Sequence, residues 1–265
     1  MRLFLAAISL LIAGCSTSPP PAPEHLESAA APVTVFRPDF GDDDPFDWPA
    51  RTPARYAVHG IDLSRWQPPV DWATARRSGV SFAFIKATEG GDILDPAFAA
   101  HRRAAMAAGV PTSAYHFFYW CTPAATQARW YIENVPRVRG QLPPILDVEW
   151  TPFSPTCTDR PSAATVRREI ATFQRIVGAH YGTRPLIYTT IGFWEDNGLD
   201  RLGGEEFWLR STAGHPSDTY PAGARWSFWQ YSGTGRVPGV TGQVDLNAFA
   251  GSVGAWSDCR QRRQQ

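Results

Sequence analysis

The chain has 265 residues, 43% hydrophobic and 13% aromatic, enough apolar material to bury a full core and the size of one barrel-type domain. Its 25 Lys and Arg balance 25 Asp and Glu, and no compact basic run is present, so nothing steers it to nucleic acid. Eleven Trp residues stand out: indole planes stack on sugar rings, but their large apolar area also suits a core, where about half of them are expected.

In chain order, Met1-Arg2 gives a basic start and residues 3–13 are almost wholly apolar, a run too short to span a bilayer as a folded helix. It ends in Ile12-Ala13-Gly14-Cys15, which resembles the lipobox of bacterial lipoproteins. On that resemblance residues 1–14 are a signal peptide and Cys15 is the acylated first residue of the mature chain; an ordinary signal peptide containing Cys is the other reading. Several acyl chains hold a protein firmly, at about 0.8 kcal/mol per buried methylene. Ser16 stands where Asp would favour inner-membrane retention, so the resemblance implies export and a lipid anchor in the outer membrane, facing the periplasm. Residues 16–54 then carry nine prolines, and seven acidic residues against two arginines, with few aliphatic side chains. That composition predicts an extended tether over 15–54.

From Tyr56 onward, short β-branched or aromatic runs alternate with helical stretches, which argues for βα units around a parallel sheet. Strands are expected at 57–63, 81–87, 112–118, 143–149, 184–190, 206–211, 225–231 and 243–248. Helices are expected at 71–78, 95–108, 123–135 and 162–181, with a weaker one near 192–199. Eight strands suit an α/β fold of the TIM-like β/α barrel type, and because no good helix separates the last three strands the outer helical ring is incomplete. The barrel is assigned to 55–252 and a tail to 253–265, with no repeat or second domain in view. Cys121 and Cys157 both fall in loops just past predicted strand ends, and an oxidising compartment favours a disulfide between them; Cys259 falls in the tail. No CxxC or HExxH spacing occurs and the six His are scattered, so no metal is expected.

The C-terminal ends of parallel barrel strands are where functional groups collect. Here they offer Asp62, then Lys86 and Glu89, Tyr115 and His116, Asp147 and Glu149, Tyr188, Trp208, Gln230 and Asp245. Asp147 and Glu149, two apart in one strand, project to the same face. Mutual repulsion and partial burial raise one pKa and leave a protonated acid beside a carboxylate, the pair that glycosidic bond cleavage needs. Asp62 and Asp245 come from the first and eighth strands, neighbours in a closed barrel, so four acids converge on one opening. Structural salt bridges to Lys86 or Arg65 are the alternative for Asp62 and Asp245. A Ser-His-Asp hydrolase lacks its GxSxG elbow here, and nucleotide binding lacks both GxGxxG and a Walker loop.

These residues resemble the glycoside hydrolase family 25 lysozymes, the Chalaropsis-type muramidases. Gly60-Ile61-Asp62-Leu63-Ser64 with Gln67 and Asp71-Trp72 is similar to that family's opening strand and loop, and Phe82 to Gly90 with Asp95 and Phe98 to its second unit. Gly109 with Ala114-Tyr115-His116-Phe117, Asp147-Val148-Glu149, Trp229-Gln230-Tyr231 and Asp245-Leu246-Asn247 follow in the family's order, so the resemblance spans about residues 56–250. It implies cleavage of the bond between N-acetylmuramic acid and N-acetylglucosamine in peptidoglycan glycan strands, without a cofactor. Glu149 is then the general acid, and Asp147 orients the substrate's own 2-acetamido group, a known exception to the two-carboxylate scheme. Asp147 or Asp62 as nucleophile or base remains the alternative. Tyr188, Trp208 and Gln230 are expected to line the groove, with Tyr115, Lys86 and Glu89 beside the acids; Trp208 suits barrel filling equally. Pro68-Pro69, where the family often has Gly, and the segment 151–161 depart from the pattern. A non-catalytic wall-binding lipoprotein and a chitinase-like glycosidase are the competing functions, and a monomer is expected.

Overall fold

The computed structural model describes residues 33–261 other than residue 222, so the signal segment, Cys15 and the start of the expected tether lie outside the described residues. The strands are β1 (Gly41–Asp42), β2 (His59–Leu63), β3 (Val80–Glu89), β4 (Ile93–Leu94), β5 (Thr112–Phe117), β6 (Ile145–Val148), β7 (Leu186–Thr190), β8 (Phe207–Arg210), β9 (Trp226–Arg236) and β10 (Val244–Phe249). The helices are α1 (Trp72–Arg77), α2 (Phe98–Ala107), α3 (Ala124–Asn134), α4 (Ala163–Tyr181), α5 (Ile191–Asn197), α6 (Pro216–Thr219) and α7 (Val253–Gln261). Eight strands close into a barrel in the order β2-β3-β5-β6-β7-β8-β9-β10, as the sequence predicts. The eighth differs from expectation in direction. β10 runs antiparallel to both β9 and β2, whereas β9 is parallel to β8. β9 extends to Arg236 and only residues 237–243 join it to β10, too short for the dozen-residue crossover a parallel return requires.

Two apolar layers flank the barrel wall. Inside, Phe82, Phe84, Ile145, Tyr188, Trp208 and Phe228 fill the lumen. Outside, α4 buries Val166, Ile170, Phe173 and Val177, one stripe at helical spacing. The Ser162 hydroxyl accepts from Thr165 N–H to start that helix, and Gly182 at φ 72° ends it in the left-handed conformation. Trp72, Trp120, Trp194, Trp208, Trp229 and Trp256 are buried, close to the half expected.

Both ends of the described chain belong to the body. The expected tail forms α7, whose Trp256 is fully buried against Phe82 and Phe249 at ring distances of 5.5 and 5.3 Å and closes the barrel floor; Cys259 is buried on the same helix. At the other end, residues 33–54, expected as tether, pack on the barrel where the outer helices are missing. Phe40 meets His59 at 6.1 Å, Trp48 meets Trp229 at 5.0 Å, and β1 pairs antiparallel with the far end of β9. Arg236 Nε and Gln243 Nε2 each donate to Asp43 Oδ2 at 2.8 Å, and Thr234 donates to Asp42 at 2.6 Å. The proline-rich composition is real, but an extended chain with an aromatic every few residues can line a bare barrel wall as well as span a gap.

Candidate active site

The four acids meet at one end of the barrel. Asp62 and Asp245 face each other across a cross-strand pair of β2 and β10, while Asp147 is the penultimate residue of β6 and Glu149 follows just past its end. The antiparallel course of β10 puts its beginning, not its end, at this mouth, which is why Asp245 arrives there from the second position of the strand. Asp62 and Asp147 are buried, and Glu149 is half-buried nearer the rim.

Beneath the acids lies a closed polar network. Gln230 Nε2 and Asn247 Nδ2 donate to Asp62 Oδ2 at 3.0 and 2.7 Å. Tyr188 donates its hydroxyl to Gln230 Oε1 at 2.9 Å, and Trp208 Nε1 donates to Asn247 Oδ1 at 2.7 Å. Tyr188, Trp208 and Gln230, expected to line the groove, are therefore at most 6% exposed and serve as the platform on which Asp62 rests. Trp208 is barrel filling: its ring packs 4.3 Å from Tyr188 and 4.7 Å from Phe84. Such a network fixes side-chain positions because every buried donor and acceptor in it has a partner.

The rim carries the cations. Lys86 Nζ lies 2.5 Å from Glu89 Oε2 and 4.5 Å above the Phe117 ring, and Arg65 reaches the same carboxylate at 3.6 Å. Tyr119 donates to the other Glu89 oxygen. Trp120 Nε1 donates to the Glu149 carbonyl at 3.0 Å, and the neighbouring Cys121 is joined to Cys157 with an S–S distance of 2.14 Å, so two cross-links brace the loop behind Glu149. His116 points the other way, into the helical layer, bonded to Thr88 at 2.8 Å and to Gln127 at 2.9 Å.

Burial raises all four carboxyl pKa values. Asp147 stands well above the usual carboxylate range through desolvation and then the charge of Glu149, with Lys86 opposing. Glu149 is raised by desolvation, with Arg210 and Lys86 opposing. For Asp62, burial pushes the value up to about 6 against hydrogen bonds from Asn247, Gln230 and Asp245; Asp245 is carried to about 9 by burial and the Asp62 charge. The two share a proton, held on Asp245 and donated to Asp62. Tyr115, its hydroxyl pKa raised by burial and then by Asp62, Asp147 and Asp245, stays a donor among them.

Arg210 and Asn247 belong to this site; the sequence places Asn247 in the closing Asp245-Leu246-Asn247 motif without assigning it a role, and does not single out Arg210. Asn247 sits two residues from Asp245, hence on the same face, and Arg210 closes β8 two residues beyond Trp208. The same periodicity that found Asp147 and Glu149 was available for each.

One expected outcome follows for stability. Folded Asp245 keeps its proton to about pH 9, whereas the unfolded chain releases it near 3.8, so the native state binds more protons across that interval and its stability falls as pH rises through it. Asp245→Asn, whose amide can still donate to Asp62, should raise Tm by roughly 3 °C or more at pH 8 and leave it unchanged near pH 4. Equal shifts in thermal melts at both pH values would show that Asp245 is not held protonated.

The family model for glycosyl hydrolases family 25 matches residues 61–240. The chain belongs to that family. Lysozyme M1 of Streptomyces globisporus is 37% identical over 206 residues, covering 74% of this chain and 69% of its own. The "Uncharacterized protein YegX" of Escherichia coli (strain K12) is 33% identical over 231 residues, 85% of this chain and 82% of its own. Among solved structures, the bacterial lysozyme from Streptomyces coelicolor superposes with a TM-score of 0.68 at 34% identity, covering 78% of this chain and 97% of that one. The family 25 match spans β2 to the end of β9 and so contains Asp62, Asp147 and Glu149; β1, β10 and α7 lie beyond it. The protein is a family 25 glycoside hydrolase.

Proposed function

We propose that this glycoside hydrolase is an N-acetylmuramidase that cuts peptidoglycan strands between N-acetylmuramic acid and N-acetylglucosamine, with retention of configuration and assistance from the substrate's 2-acetamido group. The observation that carries this reading is Asp147 Oδ1, a buried carboxyl oxygen without a hydrogen-bond partner at the barrel mouth where the four acids meet. A buried acceptor left alone costs about 1–3 kcal/mol, and a bound amide N–H would satisfy it. Asp62 suits the nucleophile's role less well, because Oδ2 already accepts two hydrogen bonds and Asp245 takes up the carboxylate further.

At rest the Asp147–Glu149 pair holds one proton, favoured on Asp147 because Asp147 is the more deeply buried and Glu149 alone feels Arg210. An acetamido N–H arriving at Asp147 favours its ionised form and moves the proton to Glu149. Glu149 then protonates the leaving glycosidic oxygen as the bond to the anomeric carbon breaks, and the acetamido carbonyl oxygen bonds to that carbon. Water next attacks the same carbon, giving its proton to the Glu149 carboxylate and reopening the ring. All side chains needed come from one chain, so a monomer suffices.

Digestion of purified peptidoglycan by the full chain, borohydride reduction and mass spectrometry test the specificity. Reduced muramic acid ends are expected; glucosamine ends would mark a different glycosidase, and an uncut wall a binding protein. For placement we propose export and a lipid anchor at Cys15 in the outer membrane, facing the periplasm, supported by the Ile12-Ala13-Gly14-Cys15 motif. A Cys15→Ser variant that stayed in the membrane fraction would refute the anchor.

A further inference from the structure

A groove of about 560 Å³ opens beside the mouth, between the loop after β2 and the outer face of α2. Its base is a trough of small side chains, Ala97, Ala100, Ala104 and Ala107, spaced three or four residues apart so that they fall along one side of the helix. Pro68 and Pro69 make the opposite wall, fixed in φ and without amide donors. The charges are of one sign. Arg65 and Arg103 line the groove and are exposed, and no Asp or Glu is among its lining residues. His101 Nε2 contacts the Gln67 carbonyl oxygen at 3.3 Å and pins the proline loop to α2. Arg65 joins groove to mouth, since its guanidinium also reaches Glu89 at 3.6 Å.

We propose that this groove receives the acidic peptide carried by muramic acid, so that the enzyme grips its substrate by the stem as well as by the sugars. The inference rests on the muramidase reading and adds a second recognition element to it. The lactyl ether of a muramyl residue bound over Asp147 carries a short peptide with free carboxylates, which must leave the mouth over some part of the rim. The rim at Arg65 leads into a preformed trough whose volume is within the range of ordinary ligand sites, about 300–1,000 Å³. Carboxylates paired there with Arg103 and Arg65 gain charge-assisted hydrogen bonds on a planar fork, and alanines let the peptide backbone approach the helix closely. Charge complementarity favours the peptide's carboxylates over the hydroxyl and acetamido groups of the sugars, which carry no charge.

The test compares KM for the full chain on two preparations of the same glycan, one bearing its peptides and one stripped by an amidase. The wild type is expected to show a KM about tenfold lower on peptide-bearing chains, the equivalent of one good contact at about 1.4 kcal/mol per decade. Arg103→Glu should collapse that ratio toward one with kcat unaltered, and Arg103→Lys should restore part of it. The peptide released by the amidase should inhibit the wild type competitively, less so at high salt. A wild-type ratio of one, or a ratio that Arg103→Glu leaves intact, overturns the stem site while the muramidase stands. Failure to cut either preparation overturns the muramidase and this proposal with it.

Discussion

Glu149→Gln is expected to lower kcat on peptidoglycan by about 10²–10⁴-fold, the usual contribution of a positioned general acid, while binding of wall fragments persists. The amide keeps the shape of the side chain and lacks the proton that the leaving oxygen must receive. Trp120 and the Cys121–Cys157 bridge hold the Glu149 backbone in place, so the loss should be chemical and not conformational. The pH profile adds a second check. Desolvation raises Glu149 and Asp147 together, so the wild type should stay active above the ordinary carboxylate range and lose activity as pH rises and the shared proton leaves. A variant with near-normal kcat would remove Glu149 from the acid's role, whatever the family suggests.

Deleting everything before residue 55 is expected to leave a protein that does not fold stably, while deletion up to residue 32 should be tolerated. The longer deletion strips Phe40 from His59 and Trp48 from Trp229, and removes the Asp43 carboxylate that holds both Arg236 and Gln243. Outward-facing Trp229 and Tyr231 would then meet water on the one stretch of wall without helices. Loss of a fully buried large aromatic costs about 3–5 kcal/mol; Phe40 and Trp48 are half-buried, so each contributes less, but together with the Asp43 hydrogen bonds they make up a large part of a domain's stability of about 5–15 kcal/mol. Circular dichroism and thermal melts of the two truncations decide it. A cooperative, equally stable transition in the shorter chain would make residues 33–54 a linker after all.

Both predictions depend on features that the sequence reveals unequally. The barrel was legible because period-two runs and period-3.6 runs alternate, and the eight strands form within a few residues of the expected positions apart from the longer β9. Direction was not legible, since a strand reads the same whichever way it runs; only the short link before β10 carried the hint. The role of residues 33–54 was hidden by averaging. Nine prolines dominate the composition of 16–54, whereas a few aromatics decide the packing, and burial of rings follows position and not mean hydropathy. Trp208 illustrates a third limit: a Trp near a strand end can face the sugar or the lumen, and its hydrogen bond to Asn247, from a strand distant in sequence, settles on the lumen. Arg210 was not singled out, and Asn247 stood in its motif without a role, because neither is an acid and only the fold ties them to Glu149 and Asp62.

The course of residues 33–40 makes the start of the described chain part of the barrel's closure. Val33 and Val35 pack beside the lumen cluster that Trp256 closes, at the end of the barrel opposite Asp62 and Glu149. The floor is thus built from both ends of the described chain, segments more than two hundred residues apart in sequence, and the mouth that holds the acids is the end left for a glycan to enter.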